Sequence, residues 1–102
     1  MGKWYREIKM ADGSVGLERC SAIESARAER WQVKTDLGDV WVSTVFLGLD
    51  HAYVAGPPVV YETMVFRSGD FDDLDCDRYH TRAEAEAGHA AMVAKWGANA
   101  DR

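Results

Sequence analysis

The segment Gly48-Leu49-Asp50-His51, with Gly56-Pro57-Pro58 beyond it and Glu62 further on, is the part of this sequence best furnished for chemistry. An aspartate beside a histidine can orient an imidazole as a general base, and glycine and proline hold such a loop in one shape. Asp50, His51 and Glu62 together would make a minimal hydrolase set. Adjacent side chains diverge along an extended backbone, however, and no serine or cysteine stands nearby in a nucleophile motif. The plainer expectation is that Asp50 and His51 cap a strand end, and that Ser43 and Thr44 serve a strand ladder or its packing.

Two further groupings bear weighing. Cys76, His80 and His89, with Asp77 or His51, offer metal-ligand types, but Cys76-x3-His80 is a loose spacing and neither CxxC nor HExxH occurs. No metal and no cofactor is expected, and His89 is read as a neutral, partly buried histidine on a helix. Asp70, Asp72, Asp73, Asp75 and Asp77 crowd like charges into one stretch without the spacing or terminal Glu of a calcium loop. A solvated acidic loop is expected there, and an acidic surface that mimics DNA is the functional alternative. Gly13-Ser14-Val15-Gly16 matches neither phosphate-binding glycine pattern. No catalytic residue is assigned.

These residues need a frame, and the pattern supplies one. Residues 4–10 suit a strand, followed by an Asp12-Gly13 turn, after which 15–17 either return antiparallel or lead into a helix. From 18 to about 29 the composition turns helical, and Ser21 with Glu24 could form a capping box. Residues 31–35 and 40–47 alternate or run β-branched and aromatic around the turn Asp36-Leu37-Gly38-Asp39, which predicts a hairpin. Apolar residues at both parities of 40–47 predict a central strand covered on both faces. A further strand is expected over 59–66, making a three-stranded centre. Polar loop should follow over 68–77, with a short extended piece at Arg78 and Tyr79.

Thr81 with Glu84 signs the start of the last helix, which is predicted to run to about Trp96, stop at Gly97 and leave 97–102 as a frayed tail. Its stripe of Ala85, His89, Met92, Val93 and Trp96 should pack on the sheet, with Gly88 allowing close approach. The expected fold is one α+β domain over 1–102: a small antiparallel sheet of three to five strands, packed by a C-terminal helix and a shorter N-terminal one.

Composition narrows the class. The chain has 102 residues, 47% hydrophobic and 28% charged, which are globular values for a single domain. A net charge of −5 argues against direct binding to nucleic acid or anionic membrane, since phosphates are gripped by clustered Lys and Arg. The first residues lack a signal-peptide core, and no apolar run approaches the roughly 20 residues of a bilayer span. A cytoplasmic protein is expected, with Cys20 and Cys76 as free thiols.

Val42-Ser43-Thr44-Val45-Phe46-Leu47-Gly48-Leu49-Asp50-His51, Gly56-Pro57-Pro58, Tyr61-Glu62-Thr63-Met64-Val65-Phe66, and Arg78-Tyr79-His80-Thr81 with Glu84-Ala85 and Ala87-Gly88-His89 carry a likeness. In this order they resemble a family of small uncharacterised proteins common in phages and prophages, especially of actinobacteria. The resemblance covers about residues 40–93 and implies a phage or prophage origin and a location in the host cytoplasm. It implies no activity. It does draw attention to Asp50, His51, Pro57, Glu62, Thr63 and His89. The expected function is that of a small accessory protein acting by binding, either to a host protein or to another copy of itself. The alternative is a small-ligand protein, for a nucleotide for example, with a pocket of Asp50, His51, Glu62, Thr63 and His89 beneath the C-terminal helix.

Overall fold

The computed structural model describes residues 2–100, the last two by their backbone. Its elements are β1 (Trp4–Lys9), β2 (Val15–Cys20), α1 (Ala22–Arg27), β3 (Gln32–Asp36), β4 (Val40–Phe46), β5 (Tyr61–Arg67), β6 (Asp73–Tyr79) and α2 (Arg82–Ala100). The architecture is α+β, with two antiparallel sheets: a β1–β2 hairpin and a four-stranded sheet in the order β3-β4-β5-β6. No helix of the described residues is long and apolar enough to cross a membrane.

Local chemistry accounts for the joints. At the first turn Asp12 Oδ1 accepts from the Ser14 backbone N–H at 2.9 Å and from its hydroxyl at 2.6 Å, so the chain returns as β2 and does not start a helix there. Glu18 is thereby drawn into the ladder opposite Arg6, with which it pairs, and the helical stretch begins only after Ser21. Ser21 and Glu24 form the capping box, and α1 ends at Ala28, whose φ of −72° and ψ of 150° are extended. Thr81 and Glu84 cap α2 in the same reciprocal way, at 3.1 and 3.2 Å.

One face of the large sheet carries Val33, Thr35, Val40, Val42, Thr44, Phe46, Tyr61, Thr63, Val65 and Tyr79, because cross-strand partners share a face. α2 packs on that face against β4, β5 and β6. Its stripe is buried as expected: Ala85, His89 and Met92 fully, Val93 and Trp96 in part. The interior divides into two apolar clusters. Phe46, Val60, Tyr61, Tyr79 and Ala85 form one, joined by Tyr5, Leu17 and Trp31 from outside the sheet's centre. Val40, Val42, Val65 and Met92 form the other. Gly88 is what lets the helix lie so near: a methyl there would run into the Tyr79 ring.

The hairpin β1–β2 is fastened at this same end. Tyr5 N–H donates to Gly48 O at 2.8 Å, Asp50 N–H to Lys3 O at 2.9 Å, and the Tyr61 hydroxyl to Glu7 Oε2 at 2.7 Å. Arg82 lies 3.1 Å from the same Glu7 oxygen and 4.0 Å above the Trp31 ring. Gly48 is required twice over: its φ is +82°, and a Cβ would stand 2.6 Å from both Ser25 Oγ and an Arg30 nitrogen.

Four expectations need correction. The acidic stretch is not loop from 68 to 77; Asp73–Tyr79 is the edge strand β6, so the centre has four strands and not three. β5 would otherwise expose a ladder edge, and charged side chains are well suited to an outermost strand because they discourage further pairing. α2 does not stop at Gly97 but continues to Ala100. Its last turns are held by Asp75, which accepts from Lys95 Nζ at 2.7 Å and Trp96 Nε1 at 3.0 Å. The proposed frayed tail is thus helical as far as Ala100, and its last two residues lie outside the described ones. Finally, β4 is central but covered by a helix on one face only, since α1 packs against β1.

Candidate functional site

The loop from 48 to 58 is built around Asp50. Its Oδ1 accepts from the Ala52 N–H at 2.8 Å and from the Val59 N–H at 2.9 Å, which closes the base of the loop. Burial works to raise this carboxyl, and the Val59 and Ala52 donors outweigh it, holding Asp50 below the usual carboxylate range. An oxygen so engaged is a brace. The His51 N–H continues the closure by donating to Val59 O at 2.8 Å.

Above the brace the loop leans over a cleft of about 510 Å³ lined by His51, Tyr53, Pro57, Val59, Arg78 and His80, together with small and apolar loop residues. Arg78 comes from the end of β6, where its Nε donates to Glu62 Oε2 at 2.8 Å. That carboxylate raises the Arg78 guanidinium further above its usual range. His80 follows directly, its Nδ1 lying 3.1 Å from Pro58 O. A carbonyl only accepts, so Nδ1 carries the proton and Nε2 is the remaining ring position. Tyr53 is 95% exposed at the lip.

Thr63 and His89 are elsewhere. They sit under α2 between the two apolar clusters, in a continuous line of hydrogen bonds. The Tyr79 hydroxyl donates to Thr63 Oγ1 at 3.1 Å, Thr63 meets Thr44 at 2.5 Å, Thr44 meets His89 Nδ1 at 2.7 Å, and His89 Nε2 meets Thr35 Oγ1 at 2.8 Å. One proton arrangement satisfies the line from Tyr79 to Thr35: each hydroxyl donates to the next group, Nδ1 accepts, and Nε2–H donates to Thr35. It requires neutral imidazole, and burial accordingly pushes His89 below its ordinary value. Both ring nitrogens are in use, so His89 is a structural histidine and not a ligand for an outside group.

Asp50, His51, Glu62 and His89 therefore do not meet in one pocket. Glu62 and Thr63 are successive strand residues and point to opposite faces. His51 faces the cleft with Arg78, Glu62 lies on the sheet face away from α2, and Thr63 and His89 are enclosed under the helix. Among the described residues no three His, Cys, Asp or Glu side chains are gathered to hold a metal ion.

The face away from α2 has an apolar centre. Its central strands present Trp41, Ser43 and Val45 beside Glu62, Met64 and Phe66, with Gln32, Lys34 and Asp36 on β3, and Asp73, Cys76 and Arg78 on β6. Trp41 and Phe66 stack with ring centroids 4.6 Å apart, and Lys34 Nζ lies 4.3 Å from the Trp41 centroid. Trp41, Val45, Met64 and Phe66 are half-buried by one another, and neither helix covers them. The signal for this face was present in the apolar residues at both parities of β4. The cleft residues Arg78 and His80 gave no comparable signal, because they become neighbours of the loop only through the β5–β6 pairing. Cys20 and Cys76 are both free thiols; burial and the nearby Glu62 push Cys76 up. Compared with family models, with curated proteins and with solved structures, the chain finds no match in any of the three.

Proposed function

We propose that this chain is a phage or prophage accessory protein of the host cytoplasm that acts by binding a protein partner, without catalysis. The single observation that carries the binding role is the uncovered face of the large sheet. An antiparallel sheet with one face on the core ordinarily turns polar residues to water on the other. Here the middle of that face is Trp41, Val45, Met64 and Phe66, and the charged residues stand mainly around it, which is the arrangement of an interface core with a polar rim. The likeness of residues 40–93 to small phage and prophage proteins supports the origin.

The occupant this face fits is a second copy of the chain. Its cross-strand rows run Gln32, Val45, Glu62, Arg78; then Lys34, Ser43, Met64, Cys76; then Asp36, Trp41, Phe66, Asp73. A two-fold axis lying across the strands along the middle row would set Met64 of each copy opposite Met64 of the other, and Trp41 opposite Val45. An isologous contact of this kind needs such self-complementarity. Sedimentation velocity from micromolar to millimolar concentration tests it. The native chain is expected to pass from monomer to dimer, and Met64→Glu, which buries two facing carboxylates, to remain monomeric with an unchanged far-ultraviolet spectrum. A native chain that stays monomeric throughout, or a Met64→Glu chain that still dimerises, refutes this use of the face.

A further inference from the structure

The cleft beside the 48–58 loop lies apart from the sheet centre and has a different chemistry. We propose that it binds a small organic phosphate, a phosphate group joined to a flat ring.

Charge favours an anion here. The chain holds 17 Asp and Glu against 12 Lys and Arg, yet the cleft is lined by Arg78, His51 and His80, and Glu62, bonded to Arg78, and Glu84, bonded to the His80 N–H, are not among its lining. Two of the chain's three histidines are here, and the third is sealed under α2. Orientation favours an anion too. Among the described residues the Arg78 side chain is held through Nε alone, by Glu62, which orients the guanidinium and leaves its two terminal nitrogens, the fork that suits phosphate oxygens. Pro58 O holds the His80 ring through Nδ1, and among the described residues Nε2 has no hydrogen-bond partner. Two anchored nitrogen-bearing groups, with the His51 ring lining the same cleft, match a tetrahedral anion better than the two oxygens of a carboxylate.

The remainder of the cleft is apolar. A volume of about 510 Å³ admits a ring as well as its phosphate. Val59 and Pro57 line the wall, and Tyr53, 95% exposed in the free protein, stands at the lip where a ring could stack on it. Leaving that ring in water has no packing benefit for the chain alone.

The test follows the imidazole resonances of His51 and His80 while phenyl phosphate, inorganic phosphate or phenol is added at millimolar concentration. Phenyl phosphate should shift both rings and bind about tenfold more tightly than either inorganic phosphate or phenol. Tyr53→Ser, at a position too exposed to affect folding, should remove most of the advantage of phenyl phosphate over inorganic phosphate. Arg78→Gln should abolish both phosphate responses while the far-ultraviolet spectrum is kept. Binding should persist in the Met64→Glu chain, which separates this site from the sheet face. Unshifted His51 and His80 rings overturn the proposal, as do equal affinities for phenyl phosphate and phenol or a response unchanged in both Tyr53→Ser and Arg78→Gln.

Discussion

Thr44 Oγ1 lies 2.7 Å from Nδ1 of His89, and this bond joins the central strand to the middle of the helix that covers it. On either side along the strands the packing is apolar, with Phe46 and Tyr61 in one cluster and Val42 and Val65 in the other. A polar line laid between two apolar clusters fixes where the helix sits along the sheet, because sliding it would leave several buried groups without partners at once.

Thr44→Val keeps the shape of the side chain and removes the hydroxyl. His89 Nδ1 and the Thr63 hydroxyl both lose a buried partner, so the substitution should destabilise by about 1 to 3 kcal/mol in urea unfolding. His89→Leu combined with Thr44→Val should cost less than the sum of the two single changes, because the second substitution removes a group the first has already stranded.

The same histidine sets a pH dependence. Burial lowers its ionisation in the folded chain from the ordinary value of 6.5, so the unfolded chain takes up a proton first as the medium is acidified. Stability from this group is complete above 6.5 and declines as pH falls from there toward the depressed folded value. Urea midpoints measured from about pH 8 to about pH 5 should fall for the native chain, and the fall should be smaller in His89→Gln.

Gly88→Ala offers a prediction whose sign discriminates. Helix propensity alone favours alanine by about 1 kcal/mol. The added methyl meets the Tyr79 ring, itself pinned by its bond to Thr63, so net destabilisation of about 1 to 3 kcal/mol is expected. A gain in melting temperature would mean that α2 lies farther from β6 than described.

At the far end of α2, Asp75 holds Lys95 and the Trp96 indole, and those two donors keep its carboxyl below the ordinary value of 3.8. Asp75→Ala should cost about 1 kcal/mol, a modest figure for a partly exposed pair, and shift Trp96 emission to longer wavelength as the last turns loosen. Because the carboxyl is depressed, this contribution is present at neutral pH and is lost as pH falls below the ordinary carboxylate range.

The order of elements from β3 to β5, the capped helix and its buried stripe could be read from local pattern, since periodicity, capping pairs and the Asp-Gly turn are properties of neighbouring residues. Asp73–Tyr79 escaped because an outer strand needs little apolar content, and its partner supplies the pairing that composition does not advertise. Gly97 misleads because the helix runs on past it, and Asp75, 22 residues earlier, grips Trp96 in the turn beside it, a contact that neighbouring residues do not advertise. The candidate residues suffered the same limit. His51 lies on the loop, but its neighbours Arg78 and His80 reach it only through the pairing of β6 with β5, which the short extended piece expected at Arg78 and Tyr79 does not reveal. His89 stands out as a polar residue on an apolar stripe and Thr63 only through the family likeness, and the fold uses the polarity of both internally.

The proposed role rests on the sheet face bearing Trp41 and Met64 being where another copy binds. The most direct measurement is a dilution series of carbon–proton spectra with labelled methionine methyl groups. Met64 and Met92 lie on opposite faces of the same sheet, one uncovered and one 8% exposed beneath α2, so each serves as the control for the other. The Met64 methyl and the Trp41 indole N–H resonances should move together between micromolar and millimolar concentration while the Met92 methyl stays fixed. Resonances of Met64 and Trp41 that are unchanged over that range would contradict the proposed role.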